Sequence, residues 1–207
     1  MKKSDIISAV KQHGCTQAES TLFSVALPLI KRDGEYHLLY EVRAETLRRQ
    51  PNEICFPGGK VEHCETTEDG AIRETTEELN ISKDVIEMVD PLIPIMIPHN
   101  VMVFPYVVFL NTTFEELKAN EDEVQELFTV PLSHLMAATP EKHVIESQVV
   151  VPENFPFDKI QNGKDYKWNR SSYDVYFFEY DHKVIWGLTA KITAVFIRIL
   201  KGEMDVE

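Results

Sequence analysis

The chain has 207 residues, 43% of them apolar and 27% charged, which is the make-up of a globular protein with length for one cored domain or two small ones. Its formal charge of −13 argues against a binder of duplex nucleic acid, which needs patches of Lys and Arg to neutralise phosphates. It leaves room for small phosphorylated ligands wherever a metal or a local basic cluster reverses the sign. MKKSDIISAVKQHG has no apolar core of a signal peptide. VMVFPYVVFL (101–110) is about half the ~20 residues needed to cross a bilayer and is interrupted by Pro105, so a buried strand is expected there. Cys15, Cys55 and Cys64 form no metal spacing and no even-numbered disulfide framework, so a reducing, cytoplasmic setting is expected.

In chain order, residues 1–18 are expected to form a short amphipathic helical segment. TLFSVALPLI (21–30) and YHLLYEV (36–42) have the pattern of strands, with Asp33-Gly34 as the hairpin turn between them. A polar, basic segment and Phe56-Pro57-Gly58-Gly59 follow. A helix is expected over residues 67 to 79, capped by Thr66 or Thr67, with Glu68 and Asp69 in its first turn where the helix dipole favours anions. Residues 86–98 and 100–110 look like further strands, with their prolines at edges, bends or bulges. A charged loop is expected around residues 115 to 126, then a short helix at 131–138. Strands are expected at 143–151 and 172–180, around a polar, aromatic-containing excursion. A last helix runs through 186–202, with Ile192, Val195, Phe196 and Ile199 at helical spacing. The pattern describes one mixed α+β domain with few helices.

Charge is unevenly spread. Residues 31–49 hold five cations (Lys31, Arg32, Arg43, Arg48, Arg49) against four acids, whereas residues 65–78 hold six acids against Arg73 alone. On the expected helix, Ile72, Thr75 and Leu79 fall on one face and Glu74, Glu77 and Glu78 on the opposite one, within an arc of roughly 100°. Like charges at these spacings cost a few tenths of a kcal/mol per pair, and Arg73 can offset part of that by reaching Glu77. Taken alone, the row is either a solvated helix face or a site for a hard divalent cation that wants oxygen ligands. Gly58-Gly59 is either a tight turn or a place where another group approaches the main chain closely. The three arginines upstream are either surface charge or a two-pronged grip on phosphate.

Gly59, five residues, Glu65, seven residues, then Arg73-Glu74-Thr75-Thr76-Glu77-Glu78-Leu79-Asn80-Ile81 resembles the Nudix box (59–81 here). Every charged position of the box matches. Thr75 stands where an apolar residue is usual, and Asn80 replaces the glycine that ends the helix, Asn being the next best residue for a left-handed cap. The upstream LLYEVRAETLRRQPNEICFPGG (38–59) resembles the signature of the coenzyme A diphosphatase branch of that family. Arg43, Ala44, Arg48 and residues 56 to 59 match it, while Tyr40 and Glu41 depart at a Leu and a Thr, and Asn52 replaces a Gly.

The resemblance implies a single Nudix hydrolase domain over 1–207, a mixed sheet sandwiched between helices (α/β/α). It implies metal-dependent hydrolysis of a diphosphate with Mg2+ or Mn2+ as cofactor. Glu74, Glu77 and Glu78 would be the ligand set, with a backbone oxygen of Gly58 added. Arg73 would orient the glutamates, Glu65 would support the loop, and Glu123 is a candidate general base. Arg43, Arg48 and Arg49 would bind the substrate, coenzyme A or a derivative, with ADP-ribose or another nucleoside diphosphate linked to X as the alternative. A module that senses a nucleotide without cleaving it would be expected to lose box glutamates, and all are here. The expected partner is a small molecule rather than nucleic acid or a membrane, and a homodimer is compatible with the resemblance. His99, His134 and Cys55 carry no expected role.

Overall fold

Strands β1 (Thr21–Arg32) and β2 (Glu35–Arg43) form the expected hairpin. Its turn residues Asp33 and Gly34 both have positive φ, 51° and 89°, which matches the right-handed twist of the strands on either side. The computed structural model describes residues 21–98 and 100–203; the segment 1–18 and His99 lie outside them. The chain divides into two compact units, Met1–His134 and Leu135–Glu207.

In the first unit β1 and β2 pair only near the turn, from Leu29 and Leu38 to Arg32 and Glu35. Beyond that point the segment 54–60 fills the gap between them. β3 (Ile54–Cys55) lies on Glu41 and Val42 of β2, and β4 (Gly58–Lys60) lies on Phe23 to Val25 of β1. Ala26 N donates to Pro57 O at 2.8 Å. Pro-Gly-Gly is thus held inside the sheet. Gly58 has φ 157°, and a Cβ on it would collide with Ser24 O and Val25 Cα, so glycine is required by contact as well as conformation.

Helix α1 (Thr67–Leu79) packs across β1 and β4. Thr66 caps it, accepting from Asp69 N at 3.0 Å. Asn80 ends it in the left-handed region at φ 49°, and Ile81 N reaches back to Thr76 O at 3.2 Å. Its buried residues are Gly70, Ala71, Thr75, Glu78 and Leu79. The buried stripe is therefore rotated from the expected one: Ile72 is only half-buried, and Glu78 has moved from the solvent face to the inside. Thr75 is fully buried, yet its hydroxyl donates to Ala71 O at 2.6 Å, which satisfies the polar atom within the helix.

After α1 come β5 (Ile86–Pro91), β6 (Ile95–Ile97), β7 (Val101–Leu110) and β8 (Val124–Pro131). β7 runs parallel to β1 over ten residues, while the other pairings in this sheet are antiparallel, so the sheet is mixed. The expected continuous strand 86–98 is broken at 92–94. Pro105 sits in the interior of the sheet, between the stretches of β7 that pair with β6 and with β5. There Leu92 N donates to its carbonyl at 2.8 Å, so the missing N–H of Pro105 falls where the partner strand is interrupted. The expected charged loop ends earlier than residue 126, because β8 begins at Val124 and pairs with β2. Ala26, Ile30, Leu39, Leu79, Val108 and Leu110 form the core between α1 and the sheet. A Leu-to-Ala change in such a core costs about 2–5 kcal/mol.

A short helix α2 (Leu132–Ala137) follows β8. In the second unit β9 (Glu141–Ser147), β10 (Ser171–Tyr180) and β11 (Lys183–Trp186) form an antiparallel sheet in the order β11-β10-β9. β9 stops at Ser147, short of the expected 151. β11 is reached through a two-residue turn, Asp181 and His182, both at positive φ. Helix α3 (Gly187–Leu200) packs on β10 and β11. In the excursion between β9 and β10, Trp168 meets Phe155 and Tyr166 edge-on at 5.6 and 4.9 Å. Among the described residues no helix is long and apolar enough to cross a membrane.

Candidate metal centre

The acidic row on α1 does not behave as one surface. Glu77 has a side chain 56% exposed, Glu74 only 14%, and Glu78 is buried at 2%. Glu78 Oε2 accepts from Gly58 N at 2.8 Å, so the glycine loop in the sheet gap meets the helix through its N–H. Gly59 faces Glu74: a Cβ there would overlap the Glu74 carboxylate. The pair of glycines is the surface against which two of the three box glutamates lie.

Arg73 organises the outer side. Its Nε and Nη2 donate to Oε1 and Oε2 of Glu65 at 2.9 and 3.2 Å. Nη1 donates to Glu74 Oε1 at 2.8 Å and to Glu77 Oε2 at 3.2 Å, and Nη2 also reaches Lys60 O at 3.2 Å. The fork on Glu65 holds that carboxyl below its usual range and raises the guanidinium further. Glu65 also accepts from Glu62 N at 2.9 Å. One guanidinium thus ties the loop after β4 to the helix.

Glu123 is brought in from far along the chain. Asn120 N donates to Glu78 O at 2.9 Å, Lys118 N to Leu79 O at 3.2 Å, and Asn80 Nδ2 to Lys118 O at 3.0 Å. The loop after β7 is therefore tied to the end of α1. At its other end Ala44 N donates to Glu123 O at 2.8 Å. Between these anchors, carboxylate oxygens of Glu74, Glu78 and Glu123 all lie within 4.8 Å of one another. Three convergent carboxylates with no cation between them repel, and their oxygens suit a hard divalent ion. Burial, with Glu41's charge beside it, holds the Glu78 carboxyl well above its ordinary range. Burial raises Glu74 too, against the pull of Arg73.

Of the expected site residues, Glu74, Glu78 and Glu123 are brought together, with Gly58 and Arg73 in contact with them. Glu77 is not in that group and pairs with Arg73. Arg43 is half-buried at the end of β2, its Nε buried without a hydrogen-bond partner. Arg48 and Arg49 are exposed in the loop that follows. Asn52, the departure from glycine in that loop, has φ 62°, a conformation Asn tolerates better than most residues.

The residue that sequence reading passed over as a mismatch is Glu41. It is 1% exposed in the middle of β2, accepts from the Cys55 thiol at 3.2 Å, and has its second oxygen buried without a partner. Burial raises it to about 7, and burial also pushes the Cys55 thiol up. The signal was present: a carboxylate inside an apolar strand, two residues before an arginine.

This assembly is that of a known class. The NUDIX domain profile matches residues 22–153, and the chain belongs to the NUDIX domain family. It is 39% identical over 118 residues to peroxisomal coenzyme A diphosphatase NUDT7 of Mus musculus, covering 56% of this chain and 50% of that protein. It is 34% identical over 120 residues to Nudix hydrolase 3 of Caenorhabditis elegans, with the same shares covered. The chain thus spans about half the length of these two relatives. A MutT/nudix family protein from Enterococcus faecalis has a similar fold, with a TM-score of 0.50 at 19% identity, over 97% of this chain and 70% of that one. The α+β Nudix fold expected from the sequence is the fold observed.

Proposed function

We propose that this protein is a metal-dependent diphosphatase acting on coenzyme A or its derivatives. Water adds across the P–O–P bridge, one phosphoanhydride bond breaks, and 4′-phosphopantetheine (or its acyl form) and adenosine 3′,5′-bisphosphate leave. The observation that carries the reading is the convergence of Glu74, Glu78 and Glu123 oxygens within 4.8 Å. The donor set is all oxygen and fits Mg2+ or Mn2+. Such an ion supplies neutralisation of the diphosphate oxygens and a lowered pKa for an attacking water. Glu74 and Glu78 would hold it against the glycine loop. Glu123, the exposed member of the group, would accept a proton from water. Arg73 keeps Glu74 in position and is a positioning residue.

The substrate reading rests on the likeness to the mouse diphosphatase and on Arg43, Arg48 and Arg49. Coenzyme A carries a ribose 3′-phosphate besides its diphosphate, and guanidinium groups grip phosphates in pairs. A reducing compartment such as the cytoplasm suits Cys55 and Cys64, both free thiols.

The test is incubation of the purified protein with coenzyme A, 3′-dephospho-coenzyme A and ADP-ribose, each with Mg2+, Mn2+ or a chelator, with products separated by ion-pair chromatography. Metal-dependent cleavage of coenzyme A, preferred over its dephospho form, is expected. Cleavage of ADP-ribose with coenzyme A left intact would overturn the substrate.

A further inference from the structure

Strand β9 is the open edge of the second sheet. It pairs with β10 residue for residue, from Glu141 on Phe177 to Ser147 on Ser171. Among the described residues no strand lies on its other side. All of its residues are exposed, Val144 at its centre 60% and Ile145 44%. An open edge presents unpaired main-chain N–H and C=O groups, and proteins normally blunt it with prolines, bulges, charges or shortness. EKHVIES contains no proline or glycine, and its ladder to β10 runs without a register shift. Only its charges guard it: Glu141, Lys142 and Glu146.

Those charges are arranged to admit a second copy of the same strand. A two-fold axis through Val144 brings two β9 strands together antiparallel over their whole length. Lys142 then stands opposite Glu146 of the partner subunit, and Glu146 opposite the partner subunit's Lys142. The two Val144 side chains meet on the axis. Opposite charges set directly across a strand pair are favourable and like charges unfavourable. Parallel pairing in register would set Glu141, Lys142 and Glu146 each against its own copy, and sliding the antiparallel register parts Lys142 from Glu146. Lys142 is already held on this face, where its Nζ donates to Asp174 Oδ2 at 2.8 Å. Asp174 lies opposite Val144. On the other face His143 meets Phe177 edge-on at 5.7 Å, and Phe177 stacks on Trp186 at 6.2 Å. This aromatic row crosses the sheet from β11 to the edge. In the same two-fold register, Ile145 of the partner subunit falls opposite His143 and continues the row.

We propose that β9 is the interface of a homodimer, in which two copies join their edges antiparallel about Val144 into one continuous sheet. The contact is isologous, the same strand serving both sides. It satisfies the open main-chain groups, and its charge pattern favours this register over the others. Its area is little more than that of one strand pair, so dimer and monomer exchange with concentration.

Sedimentation velocity on the full-length chain, from about 1 to 200 μM, should show a dimer fraction that grows with concentration. Val144→Lys sets two like charges on the axis while gaining Asp174 as a neighbour on β10. It should melt like the parent, with its dimer dissociation constant raised about tenfold or more. Val144→Glu should weaken the dimer as well. Mixed together, these two variants should recover a dimer, because opposite charges then meet on the axis; that recovery requires residue 144 to face its own copy. Glu146→Lys, which sets a cation against the partner subunit's Lys142, keeps the test open should a variant at 144 not fold. A parent chain that stays monomeric at the highest concentration would overturn the proposal, as would a dimer that Val144→Lys and Glu146→Lys leave intact. Folded variants at 144 that fail to recover on mixing would overturn the register about Val144.

Discussion

A methyl group on Gly59 would fall on the carboxylate of Glu74. Across the same loop, a methyl on Gly58 would meet main-chain atoms of Ser24 and Val25. The two glycines therefore fail differently when replaced. Glu74 is the end of a flexible side chain and can swing aside, so Gly59→Ala should fold with a melting temperature near that of the parent. Its turnover and Mn2+ affinity should fall at least tenfold, the scale for a displaced ligand shell. Backbone cannot swing aside, and Gly58 is also at φ 157°. Gly58→Ala should lose roughly 1–3 kcal/mol of stability. Thermal denaturation beside a metal titration separates the two; equal loss of stability in both would contradict the assignment.

Arg73 makes five hydrogen bonds, to three carboxylates and one carbonyl. Lysine keeps the charge but has no planar fork, so Arg73→Lys cannot hold Glu65 and Glu74 at once. Turnover should drop about ten- to hundredfold with stability lowered by about 1 kcal/mol. The charge-retaining variant is the informative one. If it turned over like the parent, Arg73 would be acting as a point charge and not as a brace.

The buried acids set the direction of the pH response without metal. Glu41 is raised from 4.5 to about 7, and Glu78 is raised as well, each chiefly by burial. A carboxyl with a raised folded-state pKa binds its proton more tightly folded than unfolded. Its contribution to stability is whole below the unfolded value and is lost as pH rises through the folded one. The metal-free protein should therefore melt at progressively lower temperature from about pH 5 to about pH 7.5. Saturating Mn2+ should reverse the slope, because the cation binds the deprotonated carboxylates. Glu78→Gln should flatten the metal-free slope and abolish turnover while folding. A metal-free melting temperature that climbs steadily over this range would contradict the burial of these carboxylates.

Much of this was legible in the residues, and the failures share a cause. The hairpin, α1 with both its caps, and β7 follow from local pattern: alternation, a Thr cap, an Asn in the left-handed region. Asn52 and Asn80 each stand where the family has glycine, and both have positive φ, so these departures keep the backbone they replace. What periodicity could not give is which way α1 is turned. Spacing puts Ile72 inward and Glu78 outward, but Gly58 N–H on Glu78 and the close approach of Gly70 to Ser24 Oγ, 2.8 Å from where a Cβ would stand, select another face. The start of β8, Val124-Gln125-Glu126, has the look of loop because it carries little strand pattern, and it is recruited by pairing to β2. Glu123 could be suspected but not placed, since its position depends on main-chain bonds from Asn120, Lys118 and Ala44. Long-range backbone pairing decides these points.

Arg48 offers a test of substrate recognition free of folding effects. It is exposed in the loop after β2, and none of the ion pairs among the described residues involves it. Arg48→Ala should leave the melting temperature and the Mn2+ isotherm unchanged. If the guanidinium grips the 3′-phosphate, the variant should lose about ten- to hundredfold in kcat/KM on coenzyme A, the worth of a charge-assisted contact. On 3′-dephospho-coenzyme A, which offers no such phosphate, it should match the parent. The loss should appear mainly in KM, because a group remote from the reacting bond binds ground and transition states alike. Equal losses on both substrates would assign Arg48 to the diphosphate instead, and no loss on either would leave recognition to Arg43 and Arg49.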